Sequence, residues 1–104
     1  MSLSELDTLL RTVCPDVYRY AAEGGLTRYI VMGVTGYTCA AGDDCSLLQL
    51  PEVQLDLYTQ DEEDTLLADV MDALAEAGQY ADIVATDYLD MQASLVVTLQ
   101  LVLV

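Results

Sequence analysis

The start of the chain shows apolar positions at helical spacing. They fall at i, i+3, i+4 and i+7 and form one stripe made of Leu6, Leu9, Leu10 and Val13. Ser4, with Asp7 three positions later, has the pattern of a helix N-cap. Pro15 is expected to close the helix, because the residue before a proline is disfavoured in helical geometry. The pattern therefore predicts a first helix that ends before Pro15.

Strand patterns follow. Residues 17–20 and 27–34 are rich in β-branched and aromatic side chains, which favours two strands. Gly33 and Gly36 indicate a bend or bulge near the end of the second strand, and residues 35–48 are predicted to form a long exposed loop. A third strand is predicted to begin at Pro51, because apolar and polar residues alternate after it. Its apolar positions are Val53, Leu55 and Leu57.

The second half of the chain predicts one helix and two more strands. Residues 60–78 show a helical pattern, with Gly78 in the position of a left-handed residue that ends the helix. Its apolar stripe consists of Leu66, Leu67, Val70, Met71 and Leu74. A strand is predicted at 80–86, a turn at 87–90 and a final strand at 92–104. The order α-β-β-β-α-β-β predicts a single α+β domain over residues 1–104, with helices packed on a mostly antiparallel sheet.

Composition excludes several classes of function. The 104 residues include 18 Asp and Glu but only 3 Arg, no Lys and no His, so the formal net charge is −15. Such a surface repels phosphates, which argues against sequence-specific binding of nucleic acids. Mechanisms that need an imidazole, a Schiff-base lysine or a phosphate-binding lysine are also excluded. The apolar fraction of 54% is high enough for a packed core.

Cysteine usage and hydropathy favour a reduced, aqueous environment. The three cysteines are Cys14, Cys39 and Cys45, an odd number without zinc-ligand spacing, and we interpret them as buried apolar side chains with reduced thiols, as in a cytoplasm. The sequence opens without the pattern of a secretory signal. Its most apolar run, residues 95–104, is shorter than the roughly 20 residues that a membrane-spanning helix needs. We therefore expect a soluble protein with no membrane partner.

Two acidic groups are candidates for chemistry, and both have a simpler structural interpretation. The first is the run Asp61, Glu62, Glu63 and Asp64. It lacks the alternating ligands and the glycine of a calcium loop, and its position before a helix favours helix capping. The second is the pair Asp43 and Asp44, which we interpret as a solvated loop tip because adjacent side chains on extended backbone point in opposite directions. The sequence therefore predicts no catalytic residue, no cofactor and no metal site.

The final strand argues for self-assembly. A strand of about 13 residues spans roughly 40 Å, whereas a domain of this size has a radius of gyration of about 13 Å. Most positions on both of its faces are apolar, and such a segment aggregates when it is left uncovered. One face can pack on the helices, so we expect a neighbouring subunit to cover the other. The predicted interface residues are Tyr29, Val96, Val102 and Val104.

The order of the elements and several stretches resemble a known protein family. They are the leading helix before Pro15, VYRY, RYIVMGV, a variable loop, PEVQLDLYTQDEEDTLLADVMDAL and the closing apolar strand. This pattern resembles the tail-terminator and head–tail joining (tail completion) proteins of long-tailed bacteriophages. The resemblance implies a non-enzymatic subunit of a phage or prophage neck, made in the bacterial cytoplasm and located in the virion. It also implies a homo-oligomer, commonly a hexameric ring, that contacts other tail or neck proteins and lets DNA pass without specific binding.

The charge distribution fits a ring through which DNA slides, because an acidic lining repels phosphates. Of the 18 acidic residues, 14 lie from Asp43 onward, and no basic residue follows Arg28. The predicted DNA-repelling surface is the acidic run Asp61, Glu62, Glu63 and Asp64. Solubility or adaptation to high salt would produce the same imbalance.

Two other classes of function stay open at the level of the sequence. One is a small acidic adaptor or inhibitor, such as a nucleic-acid mimic, that binds a basic protein. The other is a carboxylate enzyme that uses Asp43 and Asp44. Neighbouring genes for a portal, a capsid or a tail tube favour the neck, whereas a neighbouring nuclease gene favours the inhibitor.

Self-association is predicted to increase with salt. The Debye length is about 30 Å at 0.01 M and about 3 Å at 1 M, so salt screens the repulsion between subunits but leaves apolar burial in place. Sedimentation across a salt series should show monomers or small oligomers in dilute buffer and rings at high salt. A monomer at every salt concentration would contradict assembly. Rings that dissociate as salt is added would show that ion pairs of Arg11, Arg19 and Arg28 hold the interface.

Overall fold

Two helices lie on one face of a five-stranded sheet in the computed structural model, which describes residues 1–21, 27–39, 49–90 and 94–103. The elements in chain order are α1 (Leu3–Arg11), β1 (Val17–Arg19), β2 (Tyr29–Cys39), β3 (Gln49–Thr59), α2 (Leu66–Glu76), β4 (Ala81–Leu89) and β5 (Ser94–Val102). The strand order in the sheet is β1-β2-β3-β5-β4. Only the β1–β2 pair is parallel. The predicted α+β class, the element order and the mostly antiparallel sheet are confirmed.

The cap of α1 differs from the prediction. Ser2, not Ser4, is the N-cap: the Ser2 hydroxyl accepts the Glu5 backbone N–H at 3.1 Å, and a Glu5 carboxylate oxygen accepts the Ser2 N–H at 3.2 Å. Glutamate is long enough to reach back to the cap, whereas Asp7 instead forms an ion pair with Arg11 at 2.8 Å. The two hydrogen bonds with Ser2 lower the pKa of Glu5. The helix ends at Arg11, four residues before Pro15.

Several strand boundaries also differ from the prediction. β2 continues to Cys39, so the expected loop at 35–48 begins too early, and β3 begins at Gln49, two residues before Pro51. Residues 40–48 lie outside the described residues. A register shift at Val34/Gly36 lets the ladder continue, and this is the bulge that the glycines indicated. β4 reaches Leu89, so the predicted turn at 87–90 begins too early. β5 comprises nine residues rather than about 13, although residues 91–93 and 104 lie outside the described residues.

A single hydrophobic core lies between the helices and one face of the sheet. The alternation predicted for β3 is confirmed, because Val53, Leu55 and Leu57 are all buried. The other buried apolar residues of this cluster are Leu6, Leu10, Cys14, Val17, Ile30, Met32, Leu66, Val70, Leu74, Leu99, Leu101 and Leu103. Leu67 and Met71, which the sequence placed on the same stripe of α2, pack only at its margin. β4 contributes no fully buried residue to the core.

β5 is an interior strand. It pairs with β3 on one side and with β4 on the other, its residues Leu99 and Leu101 face the core, and Leu103, just after the strand, is also buried there. One face of the final strand thus packs beneath the helices, and the edge strand beside it is β4. Neither α1 nor α2, the helices of the described residues, is long and apolar enough to cross a membrane.

The two adjacent leucines of α2 allow a test of its orientation. Leu66 is fully buried and Leu67 is half-buried. Leu66→Ala should lower the free energy of unfolding by about 2–5 kcal/mol, because it leaves a cavity in the core. Leu67→Ala should lower the free energy of unfolding by clearly less. Denaturant unfolding in dilute buffer measures both, and a larger loss for Leu67→Ala would show that the helix packs on a different face.

Candidate assembly surface

The helices leave the last strand of the sheet uncovered. Among the described residues, β4 pairs with β5 alone, and every residue of the strand except Ala81 is exposed. In a strand that is paired on one side, alternate backbone N–H and C=O groups point away from the sheet. β4 therefore presents an open row of hydrogen-bonding groups.

Large apolar side chains extend into solvent from this strand and from the residue before it. Tyr80, at 77% exposure, is the most exposed, and the others are Ile83, Val84, Tyr88 and Leu89. Long apolar edge strands pair readily with other chains, and many proteins protect them with lysine or proline. Neither residue occurs in β4. We call β4 together with Tyr80 the β4 edge.

The opposite edge of the sheet is also partly open. β1 has three residues and pairs only with residues 30–32 of β2, so the remainder of β2 has no partner strand on that side among the described residues. Tyr20, in left-handed conformation with φ +67°, extends its ring across Gly33, where a Cβ would lie 2.9 Å from a ring carbon. The Tyr20 hydroxyl accepts the backbone N–H of Val34 at 3.3 Å. Among the described residues no strand pairs with residues 35–39 on this side, and we call them, together with Tyr20, the β2 edge.

The exposed apolar side chains concentrate at these two edges. Among the described residues, all seven exposed large hydrophobic side chains lie on one edge or the other: Tyr20 and Tyr37 on the β2 edge, and Tyr80, Ile83, Val84, Tyr88 and Leu89 on the β4 edge. The rest of the described surface carries none of this class. This distribution makes the edges, rather than the helices, the candidate sites of association.

Two surface grooves lie beside the β4 edge. A groove of about 450 Å³ at the start of β4 is lined in part by Tyr80, Val84 and Val102. A second groove, of about 220 Å³, lies next to the start of α2 and includes Leu67 and Val97. The apolar surface of the strand thus continues onto the sheet on both sides.

The sheet face opposite the helices, here called the open face, contains three of the four predicted interface residues. Tyr29, Val96 and Val102 alternate with core residues and share this face. Tyr29 stacks on Tyr58 with ring centroids 4.4 Å apart. Val96 is only 8% exposed, so it has little area left for a partner to bury. Val104 lies outside the described residues.

The open face is acidic, a property that the sequence pattern did not reveal. Cross-strand partners place Glu52, Asp56, Asp82 and Asp87 on it. Asp56 accepts a hydrogen bond from the Thr98 hydroxyl at 2.8 Å. Partial burial raises the pKa of Tyr58, and the charge of Asp56 and the neighbouring Tyr29 raise it further. Four carboxylates from two strands, β3 and β4, therefore give this face a negative potential.

The predicted acidic run forms turns ahead of α2 rather than its first helical turn. Asp61 accepts the Glu63 N–H and Asp64 accepts the Leu66 N–H, both at 2.9 Å, so two of the carboxylates cap local backbone. Asp64 also pairs with Arg28 at 3.1 Å. The side chains of Asp61, Glu62 and Glu63 are exposed, while Asp64 is half-buried.

No metal-binding arrangement occurs among the residues that the structure describes. Cys14 is buried and unpaired, as expected, whereas Asp43, Asp44 and Cys45 lie outside the described residues. Comparisons with protein-family models, curated proteins and solved structures found no match. The two edges and the open face are therefore the features of this chain that bear on its function.

The raised pKa of Tyr58 predicts an alkaline effect on stability. Above the ordinary tyrosine pKa of about 10, the unfolded chain loses the phenolic proton while the folded chain keeps it, so the free energy of unfolding falls as pH rises. Tyr58→Phe should reduce this fall. Denaturant unfolding of the variant and of the unmodified chain at about pH 9 and about pH 11 measures the difference. An equal fall in the two proteins would contradict the effect assigned to Tyr58.

Proposed function

We propose that this chain is a non-enzymatic structural subunit of a phage or prophage neck, where copies form a ring that ends the tail tube or joins the tail to the head. The observation that carries the assembly part is the concentration of exposed large hydrophobic side chains at the two sheet edges. Burial of such side chains stabilises association by about 25 cal/mol for each Å² removed from water. The neck assignment is supported by the resemblance of the element order and of the strand-to-helix stretch 53–59 to tail-terminator and head–tail joining proteins.

The electrostatics of the open face support a DNA passage. In the proposed ring the open face lines the lumen, and Glu52, Asp56, Asp82 and Asp87 repel the phosphates of DNA that slides past. The exposed side chains of the acidic run at residues 61–63 add negative charge at the start of α2. A lumen of this kind lets DNA through because it offers no cation to hold it.

The ring and its place in the neck are testable together. Sedimentation and negative-stain electron microscopy of the purified chain, with and without the tail-tube protein of the same phage, should show rings with a central hole that bind the end of the tube. A matched mixture with capsid protein is the control for non-specific adhesion. Particles that stay monomeric with and without the tube would contradict the proposal. A stable one-to-one complex with a basic nuclease would favour the acidic inhibitor instead.

A further inference from the structure

We infer that copies of this chain join head to tail, with the β4 edge of one copy pairing antiparallel to residues 35–39 of β2 in the next. This inference deepens the proposed ring and rests on it. The β4 edge thus binds a second copy of the same chain, and that copy uses its β2 edge for the contact.

Strand directions allow this pairing. β2 and β3, β3 and β5, and β5 and β4 are each antiparallel, so β4 runs opposite to β2. When copies are related by rotation about an axis parallel to the strands, β4 of one copy therefore meets β2 of the next in antiparallel orientation. Antiparallel pairs are slightly more stable per residue than parallel ones. The sheet then continues from copy to copy, and the groups left open at both edges become paired.

Charge complementarity favours the same arrangement. Arg11 pairs with Asp7 and Arg28 pairs with Asp64, whereas Arg19 is exposed and forms no ion pair with a described residue. Arg19 ends β1, beside Met32 at the β2 edge.

The β4 edge supplies the opposite charge. It carries Asp82 and Asp87 and no cation. Arg19 lies at the same edge of the sheet as residues 35–39, beyond Tyr20. Head-to-tail pairing therefore brings the acidic β4 edge to the edge of the sheet that carries the one unpaired arginine of the described residues.

Pairing of two β4 edges with each other is disfavoured. In a central antiparallel register, Asp82 of one copy lies opposite Asp87 of the other, and the two-fold axis repeats the contact, so four carboxylates share one face. Like charges directly opposite one another destabilise a strand pair. The two edges differ, so the contact is heterologous, and such contacts build closed rings or open filaments rather than two-fold dimers.

The experiment blocks one edge at a time. A β4-blocked variant carries Ile83→Lys and Val84→Lys, and a β2-blocked variant carries Thr35→Lys and Tyr37→Lys; all four residues are exposed. The control carries Ala68→Lys and Ala75→Lys on the exposed side of α2. Each of the three variants gains two positive charges, so the electrostatic repulsion between copies falls equally in all of them. Circular dichroism and denaturant unfolding check that each variant folds.

Each blocked variant alone should associate at least about tenfold more weakly than the control, because pairing would bury lysine charges without partners. A mixture of the two blocked variants should form a one-to-one heterodimer and nothing larger, because each copy keeps one intact edge that fits the other copy. A folding defect cannot produce this rescue. Sedimentation of the separate and mixed variants, under the salt conditions in which the unmodified chain assembles, gives the readout.

The alternative outcomes are distinct. If the β2-blocked variant dimerises by itself, β4 edges pair with each other and head-to-tail pairing is wrong. If both blocked variants still form rings, the ring proposal survives and edge pairing is overturned. Open filaments of the unmodified chain that the same substitutions dissolve would support edge pairing and contradict the closed ring. An unmodified chain that is monomeric under all conditions overturns both.

Discussion

The burial of one sheet face beneath two short helices is the constraint on which the rest of the structure depends. α1 has nine residues and α2 has 11, and their buried side chains pack on β2, β3 and β5. β4 receives no such cover, although its sequence is as apolar as that of an interior strand. The position of the helices therefore decides which strand stays exposed and where the chain can gain further burial by association.

Negative charge takes the place of the usual protection of sheet edges. Many proteins place lysine, proline or a covering loop on an edge strand, but this chain contains no lysine and neither of its two prolines lies in β4. Its net charge of −15 keeps copies apart at a distance instead. Protection of this kind depends on ionic strength, whereas a proline or a bulky cover does not. In the proposed ring, the same set of carboxylates would therefore govern both the repulsion between copies and their assembly.

Much of the fold could be predicted because its periodic patterns are strong. The stripe of α2, the alternation of Val53, Leu55 and Leu57 and the left-handed Gly78 at φ +76° each have a local cause. The order of strands in the sheet has no local cause, because long-range pairing sets it. The pattern of the final strand shows that both of its faces are apolar, but it does not show that the strand lies between β3 and β4. The β4 edge went unrecognised because residues 81–89, with six apolar residues among nine, have a sequence typical of a covered strand.

The short parallel strand β1 has a further consequence for strand register. It pairs with residues 30–32 of β2, and the Tyr20 hydroxyl accepts the next backbone N–H, that of Val34. These contacts form a stop that prevents an added strand from pairing along the whole length of β2. A slip of one residue in a strand pair turns each side chain to the opposite face. The stop limits the positions at which an incoming strand can settle. An edge built in this way opposes the unlimited sliding of added strands that leads to fibrous aggregates.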